Sequence, residues 1–320
     1  MANPNLPLPM SVTTAEIERW NGRVIDGMPH GDYVRDPVPG GSLSSTGARL
    51  LIPPNCPRKF HYHRTHPTMP KLAYDLGTAA HKEVLGTGPE LVVVDAPTWN
   101  TKDAKTAKAG AYAAGQTPLL AHQYDEVQEM AQAVREHPLA SRLLAPGSGV
   151  PEQTLSWRDP VSGVMCRARF DWLSYLTTTD GKLIVVDYKT TSSADPDKLV
   201  SAIRRYRYHM QAAWYIDAVI GCRLATDAVF LFVFQETERP YVITVMELHD
   251  ITGLWVGREL NDHARKVYAR CEELGVWPGH SGALKLFKKG PDINYDDDVL
   301  TANLPDWEIR EMESITGQGQ

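Results

Sequence analysis

Residues 183–189 read Leu-Ile-Val-Val-Asp-Tyr-Lys, an apolar stretch rich in branched side chains that runs directly into an aspartate and a lysine. Such a run favours a buried strand, because β-branched side chains are stiff at χ1 and fit a pleated surface. At ~3.3 Å rise per residue, Asp187 and Lys189 fall on one face of that strand, about 6.6 Å apart. Placing two charges at the end of a shielded strand is costly. Two readings follow: a structural ion pair at a strand end, or a functional pair in the company of other ionisable groups. Asp-x-Lys alone decides nothing, since it also occurs at Asp103–Lys105 and Asp180–Lys182. Only the copy at Asp187 closes an apolar run.

The company is in the segment before it. Cys166, Ala168, Phe170 and Trp172 alternate with Arg167, Arg169 and Asp171, a period of two that predicts a strand with its charges on one face. In an adjacent strand, Asp171 would stand beside Asp187, and neighbouring carboxylates repel unless a cation lies between them. Hard oxygen donors with one imidazole suit Mg²⁺ or Mn²⁺ better than a thiolate-preferring metal. His81 is the candidate imidazole. Over residues 71–85, helical spacing puts Tyr74, Gly77, Thr78, His81, Val84 and Leu85 on one face, and Gly77, one turn earlier, permits close approach. A hydrogen-bonded core histidine is the other reading of His81. Glu152, on the polar face Glu152, Thr154 and Ser156, is either a further carboxylate for a second metal ion or an exposed strand residue.

The rest of the chain frames this centre. Prolines and the Gly40-Gly41 pair make residues 1–42 an N-terminal arm, with only Ile17–Ile25 offering an ordered stretch. Residues 43–280 form one domain, helical over 43–145 and sheet-forming over 150–250, and 281–320 a turn-rich C-terminal tail. A strand is predicted at Leu91–Asp95 and helices at Thr101–Ala114 and Leu119–Glu136. Strands at Glu152–Trp157, Val164–Leu173 and Leu183–Tyr188 precede one long helix, Lys198–Ile220. Strands at Ala228–Gln235 and Tyr241–Leu248 and a helix at Thr252–Leu274 follow. The order β-β-β-α-β-β predicts an α/β fold with a mixed central sheet flanked by helices.

DNA contact is read from local features, because 33 basic against 39 acidic residues, a net charge of −6, does not mark the whole chain as a nucleic-acid binder. Arg204, Tyr208, Gln211 and Tyr215 share one stripe of the long helix by 3.6-residue spacing, able to meet phosphates and stack on a base. The patch Arg58, Lys59, His61, His63 and Arg64 could grip a phosphate backbone, or be a solvated basic face. No apolar run approaches the ~20 residues needed to cross a bilayer. The N-terminal stretch has no Lys or Arg before Arg19 and carries prolines where an apolar signal region would sit, so a cytoplasmic protein with no membrane partner is expected. Four cysteines, Cys56, Cys166, Cys222 and Cys271, include no C-x-x-C pair, which argues against a zinc ribbon and a disulfide scaffold.

Five segments in order, LSSTGARLLIPPNCPRKFHY, GTAAH, FDWL, VVDYKTT and QAAWY, resemble the motifs of the PD-(D/E)XK nucleases, over roughly residues 43–235. Within that superfamily they are similar to the RecB-like and RecE-like phage exonucleases and to λ exonuclease. The resemblance implies a restriction-endonuclease-like core, with His81, Asp171, Asp187 and the Tyr188 carbonyl holding Mg²⁺, for which Mn²⁺ substitutes. It implies that Lys189 orients or deprotonates the attacking water, and that Gln211 and Tyr215 lie near the active site. It further implies an exonuclease acting on ends of linear double-stranded DNA from 5′ to 3′, leaving 3′ overhangs for phage recombination. A single-strand annealing protein would be its partner in a host bacterial cytoplasm, and a homo-oligomeric ring a possible assembly. A structure-specific or restriction-type endonuclease, or an inactive DNA-binding scaffold, are the alternatives; intact Asp171, Asp187 and Lys189 speak against the scaffold. Two departures stand out. Ala168 occupies a position that is Gly in many relatives, and Cys56 has no C-terminal C-x-x-C to complete an iron-sulfur cluster, so no cluster is expected.

Overall fold

The computed structural model describes residues 13–66, 75–288, 293–296, 298–302 and 305–316. The chain begins with α1 (Thr14–Glu18), β1 (Arg23–Ile25), α2 (His30–Val34) and β2 (Leu43–Ser44). There follow α3 (Ser45–Leu51), capped by the Ser44 hydroxyl on Gly47 N–H, α4 (Pro57–Thr65), with proline in its first turn, and α5 (Asp75–Leu85). Next come β3 (Leu91–Val94), α6 (Lys102–Ala113), β4 (Thr117–Leu120), α7 (Ala121–Glu136) and α8 (Ala140–Leu143). The sheet-forming half holds β5 (Gly149–Arg158), β6 (Met165–Thr177), β7 (Leu183–Thr191), α9 (Pro196–Tyr206), α10 (Tyr208–Gly221), β8 (Ala228–Glu236) and β9 (Ile243–Glu247). Helices α11 (Trp255–Leu274), α12 (His280–Ala283) and α13 (Asp306–Thr316) complete the described chain.

The main sheet has the order β1-β5-β6-β7-β8-β9, with β2 beside β6. The β7–β8 and β2–β6 pairs are parallel and the other pairs antiparallel, so the sheet is mixed, as its sequence pattern predicts. Alternation along β8 explains how helices cover both faces. Phe230, Phe232 and Phe234 enter one core with residues of α3, α10 and α11, while Val233 enters a second with Met130 and Val134 of α7 and Ala80 of α5. A strand buried on both faces reads as a continuous apolar run. Each of these phenylalanines contributes roughly 1.5–3 kcal/mol of transfer free energy, and truncating Phe232, fully buried, would cost about 3–5 kcal/mol.

One irregularity prepares the site. β5 pairs with β6 along one edge, through nearly the whole of Met165–Ser174. The other edge is shared: β2 takes Cys166 and Arg167, and β7 begins only at Trp172. Residues 168–171 of β6 therefore have no strand partner there. Helix α10 answers for the orphaned carbonyls around this gap, since Trp214 Nε1 donates to the Arg167 carbonyl (3.0 Å) and the Tyr215 hydroxyl to that of Arg169 (2.6 Å). Buried backbone groups need such partners when the ladder lapses.

Four expectations need correction. The single helix expected over Lys198–Ile220 is two, because Arg207 is left-handed (φ 55°, ψ 41°) and its guanidinium is drawn to the Pro53 carbonyl at 2.5 Å. Neither glycine nor proline announces that break. Leu119 and Leu120, expected to start a helix, end β4, which pairs in parallel with β3; four buried residues including a proline are too few for periodicity to speak. The N-terminal arm, expected to be ordered only over Ile17–Ile25, also forms α2 and is tied to the sheet. β1 pairs with β5, Gln153 donates to the Ile25 carbonyl, and Asp36 meets Arg167 at 3.0 Å, so polar groups of β5 and β6 are satisfied only by this segment. The tail expected to be turn-rich also contains α12, which starts at its boundary, and α13. No helix among the described residues is long and apolar enough to cross a membrane.

Candidate active site

Asp171 and Asp187 stand immediately beyond the last β6–β7 pair, Trp172 with Val186, where the two strands part. The backbone N–H of Tyr188 turns to the carboxylate instead and donates to Asp171 Oδ2 at 3.1 Å. On the opposite edge of β6 the ladder also skips a step, from Pro151 with Trp172 to Gln153 with Phe170. The residue skipped is Glu152, left-handed at φ 54°, a conformation that costs a non-glycine residue roughly 1–2 kcal/mol. Asp171 is thus released from regular pairing on both sides. The Tyr188 side chain points to the other face, where its hydroxyl donates to Gln235, leaving Asp187 and Lys189 together on the site face.

Helix α5 brings the imidazole. Gly77 makes this possible, because a Cβ there would lie 3.1 Å from the Thr190 hydroxyl at the end of β7. His81 Nε2 lies 3.2 Å from Asp171 Oδ2, and Nδ1 lies 3.8 Å from Glu152 Oε1. Arg169 forms a close ion pair with Glu152 and donates to the Met28 carbonyl at 2.6 Å. Glu152 is thereby bridged between a guanidinium and an imidazole rather than exposed.

Asp187 is the most enclosed member, with a side chain only 1% exposed. Its Oδ1 accepts a hydrogen bond from Gln211 Nε2 at 2.6 Å. Its Oδ2 lies 2.6 Å from Lys189 Nζ but lacks a hydrogen bond of proper geometry. Burial, then the charge of Asp171, push the Asp187 carboxyl up to about 6. Burial would raise Asp171 too, but the charge and hydrogen bond of His81 outweigh it and hold that carboxyl below its ordinary value. Burial would lower His81 and Lys189. For His81 the Asp171 carboxylate prevails, for Lys189 that of Asp187, and both stay above their ordinary values. One carboxylate is comfortable with its cations and its neighbour is not.

The cluster opens into a cleft of about 830 Å³. Sequence reasoning missed three of its walls: His30 and Tyr33 from the N-terminal segment, and Arg49 from α3. His30 and Tyr33 lie in a proline-punctuated stretch with no periodicity to read. Arg49 is held by Thr46 and the Tyr206 carbonyl, both at 3.0 Å. The expected DNA-binding residues are divided. Tyr208 and Gln211 line the cleft, with the Tyr208 ring 4.6 Å from Lys189 Nζ. Tyr215 reaches it too, but its hydroxyl is committed to β6 and its ring packs on Phe170 at 4.7 Å. Arg204, beyond the break at Arg207, is exposed on α9 and does not line the cleft. Arg58 and Lys59 line a separate cavity of about 760 Å³ with Cys56 and His280, between α4 and α12.

The donor set suits a hard divalent ion: two carboxylates, an imidazole, the Tyr188 backbone carbonyl and a buried carboxylate oxygen lacking a hydrogen bond of proper geometry. Among the described residues no three His, Cys, Asp or Glu side chains already converge as a cage. The ligand atoms are instead engaged with one another and with Lys189.

Residues 54–290 match the model of a family described as a PDDEXK-like domain of unknown function (DUF3799). No curated protein matches the sequence. Among solved structures, the chain is similar to a crystal structure from Eubacterium rectale described as a "putative exonuclease". The two share 11% identity and a TM-score of 0.52, covering 94% of this chain and 98% of the other, a likeness of fold alone. A second, SSO0001, covers 64% of this chain and 80% of its own at 13% identity and a TM-score of 0.29, too low to support an argument.

Proposed function

This chain belongs to that PDDEXK-like family and has the restriction-endonuclease-like fold of the PD-(D/E)XK nucleases, and on that premise we propose that it is a Mg²⁺-dependent exonuclease of linear double-stranded DNA. The observation that carries the reading is the meeting of His81, Asp171, Asp187 and Lys189 where β6 and β7 part, with one carboxylate oxygen of Asp187 buried and lacking a hydrogen bond. PD-(D/E)XK nucleases typically use divalent metals, and here His81, Asp171, Asp187 and the Tyr188 carbonyl would hold one. When bound, the ion would supply Lewis acidity to the scissile phosphate and acidify water.

The chain's own residues do the rest. Gln211 fixes the Asp187 carboxylate from α10 through Oδ1, leaving Oδ2 beside Lys189. Lys189, tethered beside Asp187, orients the attacking water through its ammonium and offsets charge developing on phosphorus. Arg169 keeps Glu152 beside His81, available for a second ion. Tyr208 and Arg49 line the approach and offer a ring face and a guanidinium to the strand being cut.

Attack from the 5′ end, release of 3′ overhangs to a phage single-strand annealing protein, a ring-shaped assembly and action in a bacterial cytoplasm complete the proposal. They are supported by the resemblance to RecE-like enzymes alone, while the neighbour described as a putative exonuclease agrees with the exonuclease reading itself. The deciding assay compares linear with covalently closed duplex, with Mg²⁺ and with chelator. Degradation of linear DNA alone, lost on chelation and starting at 5′ termini, is the expected result. Comparable nicking of closed circles would overturn it in favour of an endonuclease.

A further inference from the structure

Outside the cleft, β3, α6 and β4 form a small parallel βαβ unit, paired from Leu91 with Thr117 to Val94 with Leu120. Its inner side rests on α5 and α7, where buried Leu119 meets Ala79 and Val127. Helix α5 is therefore a shared wall, with Ala79 toward the unit and, two residues on, His81 toward the carboxylates. The Gly88-Pro89 turn that leads into β3 lines the cleft itself, so the unit starts at the cleft's rim.

Helix α6 has 12 residues, of which only Ala104 and Ala111 are buried. Those two small side chains let it lie against the two-stranded sheet with nearly all of its surface in water. At about 100° per residue, Lys102, Lys105, Lys108 and Tyr112 fall within an arc of roughly 120°. Asp103, the helix's acidic residue, stands about 160° from the middle of that arc. Lys108 Nζ lies 4.4 Å from the centroid of the Trp99 ring and 5.6 Å from that of Tyr112. Lys102 and Lys105 are exposed and form no ion pair with any described residue. In a chain of net charge −6, this is a stripe of one sign, interleaved with aromatic rings, with the acid of its own helix on the far side. Ammonium groups at this spacing match a run of phosphates, and the rings add stacking surface.

We propose that the βαβ unit is an auxiliary clamp in which Lys102 and Lys105 hold backbone phosphates of the DNA duplex beyond the bond being cut. The proposal rests on the nuclease reading above and deepens it. Its test measures binding of a labelled linear duplex by fluorescence anisotropy, in chelator so that nothing is cut, across a salt series. Full-length protein with Lys102→Ala and Lys105→Ala together should lose about two units of the slope of log affinity against log salt. It should bind roughly tenfold more weakly at physiological salt, with an unchanged circular dichroism spectrum. Lys102→Arg with Lys105→Arg should restore the slope. A wild-type slope in the alanine pair overturns the clamp and leaves the nuclease reading standing. Wild-type protein that binds duplex with the full slope, loses it in the alanine pair, yet hydrolyses no DNA with Mg²⁺ supports the clamp while removing the nuclease reading.

Discussion

Two buried charge clusters in this molecule are built as inverses. Around Arg265, the cation is at the centre, its side chain 4% exposed, and three carboxylates surround it with increasing access to water: Asp159, Asp217 and Asp262. Both guanidinium Nη atoms donate to Asp217, one of them also to Asp262, and the plane lies over the Trp214 ring. At the strand ends the anion is at the centre. Asp187 is sealed, with Lys189 beside it and His81 paired to the neighbouring Asp171. The buried guanidinium of Arg265 has three carboxylates within 4 Å, although its Nε, 3.4 Å from Asp159, also lacks a hydrogen bond of proper geometry, so its charge is already more than matched. A buried carboxylate pressed against a second one keeps a demand for positive charge that an external ion can meet. The comparison separates an ion cluster that holds the fold from one prepared for chemistry.

The largest contrast is expected from removing the central charge of each cluster. Asp187→Ala and Asp171→Ala should each reduce Mg²⁺-dependent cleavage at least about a thousandfold, some 4 kcal/mol of transition-state stabilisation, while the urea midpoint barely falls. Arg265→Met should do the reverse, lowering stability by roughly 3–5 kcal/mol because its carboxylates lose their partner, with the specific activity of folded protein unchanged. Wild-type digestion by Asp187→Ala would dissolve the distinction.

A smaller effect should follow at the support of the anion. Gln211→Leu removes the hydrogen bond to Asp187 Oδ1 without touching the other ligands, and should cost about 10–100-fold in activity or metal affinity. Titrating Mg²⁺ in the variant separates the two, since a positioning loss is partly recovered at high metal.

The frustration of Asp187 can be read as stability. Its carboxyl is raised to about 6 in the fold, so between about pH 4 and pH 6 the native state binds more protons than the unfolded chain, and stability falls as pH rises. Above the folded value the whole penalty is present. Asp187→Asn, which mimics the neutral form, should therefore stabilise ion-free protein by on the order of 1–3 kcal/mol at neutral pH. The advantage should shrink as pH falls toward 4 and reverse when excess divalent ion is added. Thermal melts at the two pH values with chelator give the answer, and an Asn variant less stable at neutral pH would show that Asp187 is content.

The smallest change is expected at the gap in β6. Tyr215→Phe leaves the Arg169 carbonyl without its donor and should cost about 1–3 kcal/mol in chemical denaturation, with a modest drop in rate. A rate loss far exceeding the stability loss would instead mean that the hydroxyl serves the DNA.

Much of the sheet was legible because alternation and apolar runs are local properties. The strands around Asp171 and Asp187, their adjacency and the side of the helix that carries His81 all follow from periods of two and 3.6. Glu152 could be placed on a polar strand face, yet its left-handed backbone and its bridge to Arg169 could not. The break at Arg207 was invisible for a related reason: a carbonyl at Pro53 holds it, and no local residue signals it.

By itself, then, the sequence determined the strands β6, β7 and β8 and the flanking helix α5, and that a carboxylate and a lysine would share one face of a buried strand. Such choices rest on propensity and burial within a few residues. Only the tertiary structure decided that β2 and β7 share one edge of β6 and leave a gap between them. It also decided that α10 would fill that gap with Trp214 and Tyr215, the tyrosine bonding the Arg169 carbonyl while still lining the cleft. Contacts such as Arg167 with the Ser42 carbonyl, 125 positions apart, place residues 28–42 against the catalytic strand. An unpaired edge belongs to three strands at once, and its hydrogen-bond demand exists only when all three are in place.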